Sequence, residues 1–428
     1  MKRHLSCFLF LIGQITLWAQ AVPTPAPTQS QAVFIENATI HIGNGKVLEK
    51  ASILFDKGKI EQVGTNISGK SGAKKIDAKG KHIYPGFITA NSNVGLAEIE
   101  AVRATLDQSE TGIFNSNARA IVGYNTDSKV IPTVRSNGVL IAQIAPQGGL
   151  FSGTAAVVQL DAWHWEDAAY QADNGIYLNY PNVSVDRQDE NNPVDEQQKE
   201  IARQENAIHQ TLKDAVAYRQ AKESGKWVAH NQMLEALMPL LKKEKKLFIR
   251  AYTEKQIIKA VTLGQEYGLS VVIVGGQDAW LQTELLKKYE VPVILYKPHQ
   301  LPRLEDDDVD LPYKLPNLLK KAGVVFCFDM DEFWNERNLP FQAGTAVAHG
   351  LGKEDAISAI SLQAAQILGI DKTTGSLEVG KDATLIISQG DVLDMRTSII
   401  TDAFIQGRKI DLNNMQSDLY KKYNNSKQ

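Results

Sequence analysis

Cysteine is almost absent from this chain of 428 residues: there are two, Cys7 and Cys327. Cys7 falls at the start of an N-terminal apolar run, too early for a lipid-attachment site, and the single thiol that follows excludes an internal disulfide. A chain this long buries enough surface to fold without one. Excess positive charge is also missing. The formal net charge is -3 with no long basic patch, which leaves nucleic-acid binding with little electrostatic support. Past the N-terminus no segment is long and apolar enough to span a bilayer. Histidine is scarce, with eight residues, and neither His-x-His nor His-Glu-x-x-His occurs. The P-loop pattern, the dinucleotide-binding glycine spacing and the Gly-x-Ser-x-Gly elbow are absent. No repeat of 20–50 residues is found.

What is present has an ordinary globular composition, 43% hydrophobic and 22% charged. The N-terminus is laid out as a secretory signal peptide over residues 1–21: basic Lys2, Arg3 and His4, an apolar run over 5–17, then small Ala19 and Ala21. This predicts export to the periplasm or the medium. Residues 22–32, with Pro23, Pro25 and Pro27, form a stiff linker.

Residues 33–83 are short β-rich runs separated by Gly and Asn turns, and residues 376–412 match them. Neither end can bury a core alone, so one small β-sandwich built from both ends is the economical solution. Between them, over residues 84–375, buried β-branched runs alternate with helices about every 20 to 30 residues, the spacing of a (β/α) barrel. An open doubly wound sheet is the alternative. Residues 182–205 are a polar, acidic insertion, expected to be exposed and partly disordered, leading into a long helix near residues 208–223. Residues 305–308 are a solvated acidic loop, and residues 413–428 a polar tail.

Several residues outside these elements have functional chemistry. His164, between Trp163 and Trp165 and near Asp161, and His299, after a strand, are the best spare metal ligands. The Gly-rich loop over 147–153 is expected to line the barrel mouth. Its Ser152 has no assignable base. Trp163, Trp165, Tyr170 and Tyr177 line a pocket or pack a core.

Two stretches bear a family resemblance. Tyr84-Pro85-Gly86-Phe87-Ile88 is similar to the segment that opens the barrel in the amidohydrolase superfamily. Residues 357–369 and then Thr374-Gly375-Ser376-Leu377-Glu378-Val379-Gly380-Lys381-Asp382-Ala383 resemble its closing helix and its return to the small sheet. The nearest likeness is to the imidazolonepropionase-like branch. The resemblance implies an α/β fold, a distorted TIM (β/α)8 barrel plus a small β-sandwich domain, with the site at the C-terminal mouth of the strands. It also implies metal-binding histidines after the first, fifth and sixth strands and an Asp after the eighth. Some members add a carboxylated Lys or a Glu mid-barrel, which finds no counterpart here. In this sequence the first-strand pair falls on Asn91 and Asn93, the fifth position on Arg250, and the sixth on Gly275 or Gly276. Only the acid remains, as Asp329 or alternatively Asp331.

These identities change the chemistry. A carboxamide is a weak metal ligand, glycine offers no side chain, and a guanidinium is permanently charged and donor-only. Charges of +1 and +2 about 5 Å apart repel by roughly 6–7 kcal/mol at an effective dielectric of 20. The expectation is therefore no metal cofactor, with one zinc or manganese ion as the alternative, and Arg250 as counter-charge to Asp329. Three functions follow: a degenerate amidohydrolase-like protein binding a ligand or a partner, a hydrolase of C–N bonds with an atypical site, or an inert structural barrel. A small molecule, an active relative and a second copy of the chain are the partners left open.

Overall fold

The structure, a computed structural model, describes residues 24–425 except Gln188, Glu190, Lys226 and Asp331. The expected signal peptide, the first two residues of the linker, the last three of the tail and the alternative acid Asp331 lie outside the described residues.

Both chain ends build one sheet. Strands β1 (Val33–His41), β2 (Val47–Asp56), β3 (Lys59–Gly64), β4 (Lys74–Asp77) and β5 (His82–Pro85) come from the first end. The barrel strands are β6 (Phe87–Ser92), β7 (Val139–Ile144), β8 (Phe151–Gln159), β9 (Ala169–Asn179), β10 (Lys246–Ala251), β11 (Val271–Gly275), β12 (Val293–Leu295) and β13 (Phe326–Phe328). The other chain end contributes β14 (Leu385–Ser388), β15 (Ile400–Ile405) and β16 (Arg408–Lys409). The end sheet runs β16-β15-β14-β5-β1-β2-β3, with β4 beside β1, and the two chain ends join where β14 pairs antiparallel with β5. Ile35, Ile53, Phe55, Leu385 and Phe404 fill its apolar face.

The helices between and around these strands are α1 (Val130–Arg135), α2 (Trp165–Ala168), α3 (Val194–Glu223), α4 (Gln232–Leu241), α5 (Glu254–Tyr267), α6 (Thr283–Lys288), α7 (Leu311–Ala322), α8 (Leu339–Ala348), α9 (Lys353–Ala359), α10 (Leu362–Leu368) and α11 (Met415–Asn425). Local chemistry explains their limits. Helix α5 starts with a capping box between Thr253 and Gln256 and stops at Gly268, which adopts φ +66°. Helix α3 begins well before residue 208, so the second half of the expected polar insertion is helical. Asp195 and Glu196 suit its first turn, while Ile208, Leu212, Ala215 and Tyr218 supply the buried stripe further along. The polar composition of residues 194–205 therefore marks an exposed helical face. Among the described residues no helix is long and apolar enough to cross a membrane.

The barrel strands pair in chain order from β6 to β13, and a bridge between Ala90 and Asp329 brings the first strand to the last. Residues Ile88, Ala90, Ile141, Val157, Tyr177, Phe248, Val274 and Ile294 form one interior cluster, with the Tyr177 and Phe248 rings stacked at 5.1 Å. The fold is the expected barrel plus a sheet built from both ends, with one departure. β8 is antiparallel to both β7 and β9, and the others are parallel to their neighbours. Residues 145–150 are too few for the crossover of about a dozen residues that a parallel pair requires. Gly148 and Gly149, both at positive φ, turn the chain back instead.

A buried ion cluster closes the end of the barrel opposite the mouth. Asp161 accepts hydrogen bonds from Arg135, from Arg408 Nη1 at 3.0 Å and from the backbone N–H of Ala26 at 2.9 Å. It ties the linker, the barrel and β16 to one carboxylate.

Candidate site at the barrel mouth

Four strand ends converge at the mouth. Asn91 lies in β6 with φ +52°, where the β6–β7 register shifts between Thr89 and Ser92. Asparagine tolerates this left-handed conformation better than most residues. The resulting irregularity brings its carboxamide between two charges. Arg250 Nη2 donates to Asn91 Oδ1 at 2.8 Å, and Asn91 Nδ2 donates to Asp329 Oδ2 at 2.7 Å. Arg250, Asn91 and Asp329 are all buried. In place of the expected direct Arg250–carboxylate pair, the contacts put one amide between the two, whose acceptor faces the cation and whose donor faces the carboxylate.

The rest of the guanidinium is equally engaged. Nη2 also donates to Pro146 O at 2.9 Å, and Nη1 donates to Asn179 Oδ1 at 3.0 Å and to Ser152 Oγ at 3.4 Å. Its flat face lies 4.5 Å from the centroid of the Tyr177 ring, a favourable cation–π geometry. Below, Gln143 Oε1 accepts from Tyr177 Oη at 2.8 Å and from the Asn91 backbone N–H at 3.2 Å. Burial pushes the Tyr177 phenol well above its ordinary range, opposed by the Arg250 charge. Four acceptors occupy the four N–H groups of the two Nη atoms. Arg250 therefore plugs the mouth and has no spare Nη donor for an incoming anion.

Among the described residues, those gathered at the mouth are poor metal ligands. Gly275 and Gly276 have φ +100° and +53°, and a Cβ would meet the Tyr252 ring at 2.5 Å at the first position and Val293 Cγ1 at 2.5 Å at the second. The sixth-strand position has no room for any side chain, let alone an imidazole. Gly275→Ala is expected to cost roughly 2–4 kcal/mol, the sum of an unfavourable φ and overpacking. Urea denaturation checks this, and a neutral result would contradict the close packing.

The other candidates are dispersed. Asn93 is buried but donates to Gln108 Oε1 at 2.8 Å, away from Asp329. His164 is exposed and caps α2, accepting from the Asp167 N–H at 3.3 Å. Because β8 runs backwards, its C-terminal end leads to the floor of the barrel, so His164 is not a mouth residue. His299 is on the mouth side, but its ring meets Thr345 Oγ1 of α8 at 2.6 Å and its backbone N–H donates to Gln342. The His164 ring thus lies on the floor side, and the His299 ring, on the mouth side, is held by α8. Among the described residues no group of three or more His, Cys, Asp or Glu could hold a metal ion.

One acid escaped the sequence reading. Glu336 is 1% exposed and sits behind β6 near Ser92 and Thr89. Burial pushes its carboxyl up to about 8, the Asp329 charge adds to the shift, and the two hydroxyls oppose it. Its Oε2 completes no hydrogen bond of normal geometry. Glu336 follows the turn after β13, and no local pattern marks it as buried. Asn179 was missed as well. It ends β9 and anchors the Gly-rich loop, donating to Gly149 O at 2.7 Å while accepting from Arg250.

The amidohydrolase family model matches residues 314–412, from α7 to just past β16. No curated protein matches the chain by sequence. Solved structures match almost all of it. An amidohydrolase from Thermotoga maritima MSB8 has a TM-score of 0.77 at 23% identity, covering 89% of this chain and 99% of its own. A prolidase complexed with N-methylphosphonate-L-proline has a TM-score of 0.54 at 14% identity, over 89% of this chain and 99% of its own. Molinate hydrolase has a TM-score of 0.54 at 15% identity, over 90% and 95%. The chain has the fold of these hydrolase structures, and its segment 314–412 carries the sequence pattern of the amidohydrolase family.

Proposed function

We propose that this chain is an amidohydrolase-fold protein whose metal centre has been replaced by the Arg250–Asn91–Asp329 relay, and that it binds a ligand or a partner subunit in place of hydrolysis. The observation that carries the reading is Arg250, buried at the mouth with both Nη groups hydrogen-bonded. A metal-dependent hydrolase acidifies a bound water and polarises a carbonyl with the ion. In this mouth a fixed cation stands where a ligand is expected, and Asp329, the one acid retained, already accepts from Asn91. The likeness to the imidazolonepropionase-like branch and the export of the chain rest on the sequence segments alone, and we include both in the proposal.

A cavity of about 270 Å³ beside the plug gives a ligand somewhere to sit. Ile113, Leu150, Pro181 and Ala207 line it, with Asn179 and Tyr180. Asn179 also contacts Arg250, so occupancy of the cavity touches the relay. The test is turnover by protein purified with zinc or manganese in excess, across dipeptides, cyclic amides and lactones. The expected result is no rate above background. Turnover that disappears on chelation would establish the hydrolase reading.

A further inference from the structure

The floor of the barrel holds a larger cavity, of about 440 Å³, that shares no lining residue with the relay. It opens where the chain enters β10, β12 and β13, between α6 and the end of α10. Its wall is apolar, made of Leu286, Val291, Val324, Val325 and Ile367. Its polar part is dominated by two lysines.

Lys246 Nζ donates to Ile367 O at 2.7 Å and to Gln366 O at 3.1 Å, the last-turn carbonyls of α10. The negative end of the helix dipole favours a cation there. An ammonium has three N–H groups, so two are committed and one remains for a ligand. Burial pulls the Lys246 ammonium below its ordinary range, with the Asp371 charge opposing, and an incoming negative charge would offset what remains of that penalty. Lys287 is the second cation. Its Cε and Nζ lie within 3.9 Å of the space beside Gly323 on the rim, and no described acid pairs with it. Glu290 is also on the rim and disfavours an anion on its side, so the head group belongs at the Lys246–Lys287 side.

We infer that this floor cavity binds a small amphipathic carboxylate, with its chain against Val291, Val324 and Val325 and its carboxylate on Lys246 and Lys287. The size suits a medium-length acyl chain, since ligand pockets run from about 300 Å³ upward. The site is independent of the mouth, and its failure would leave the proposed function untouched.

Calorimetric titration of the mature chain with sodium octanoate tests this. Saturable one-site binding is expected at up to millimolar concentrations, and octanol should bind at least about tenfold more weakly. Lys287→Ala, on an exposed side chain, should weaken octanoate several-fold with no change in thermal stability. Val325→Trp should block the cavity from its half-exposed lip. Lys246→Met should cost about tenfold or more, but it also uncaps α10, so the other two variants decide the location. Absence of saturable binding would overturn the inference, as would equal affinity for octanol or binding unaffected by Val325→Trp.

Discussion

Arg250→Met is expected to destabilise the protein by about 3–5 kcal/mol, the range for removing one partner of a buried charge network. The loss is large because of what is left behind. The oxygens of Asn91, Asn179 and Pro146 lose their donor, and the Asn91 amide no longer links a cation to Asp329. Arg250→Lys should recover little, because a single ammonium cannot reach acceptors fanned around a planar fork. A double-mutant cycle isolates the physics. With Asp329→Asn in the background the carboxylate at the far end of the Asn91 amide is gone, so Arg250→Met should cost markedly less, a coupling of about 1–3 kcal/mol. Denaturant unfolding of the four proteins reads this out. Additive effects would show that the relay does not connect the two charges.

The second large effect depends on pH. Glu336 is protonated in the folded state at neutral pH because burial raises it to about 8, while an unfolded glutamate titrates near 4.3. Between these values the folded state holds a proton that the unfolded state has lost. The slope is therefore negative: stability falls with rising pH by about 1.4 kcal/mol per unit, and the effect levels off above the folded value. Glu336→Gln keeps the shape and removes the titration. It should be close to neutral near pH 4, increasingly stabilising up to about pH 8, and constant above that, relative to the parent. Denaturation midpoints collected across that range test the sign, and a constant difference between the two proteins would contradict it.

Strand ends were legible in the sequence because buried parallel strands leave β-branched runs with polar residues just beyond them. The family resemblance points to Asn91, Arg250, Gly275 and Asp329, and the structure places all four at or near the ends of β6, β10, β11 and β13. Three things were not legible. The direction of a strand leaves no trace in its periodicity, so the reversal of β8 and the consequent exile of His164 to the barrel floor come only from the short link at residues 145–150. The irregularity at Asn91 is a backbone event, and without it Arg250 and Asp329 look like a direct pair; the carboxamide between them is visible only in three dimensions. The participation of Asn179, Gln143 and Tyr177 depends on the register of neighbouring strands, set by pairings far apart in the chain. Glycines 275 and 276 read as missing ligands in the sequence, but in the structure they are required by Tyr252 and Val293. The packing of β11 leaves no room for a side chain there, and introducing histidine would demand a rebuilt neighbourhood.

In the proposed reading a guanidinium and an amide occupy the place of a metal. Elemental analysis of the purified chain, after equilibration with zinc and separately with manganese and removal of free ion, tests it most directly. Well under one ion per chain is expected for either metal, with no change when Asn91→His and Asn93→His are introduced together, because Arg250 and the closed β11 position remain. About one tightly held ion per chain in the parent protein would contradict it.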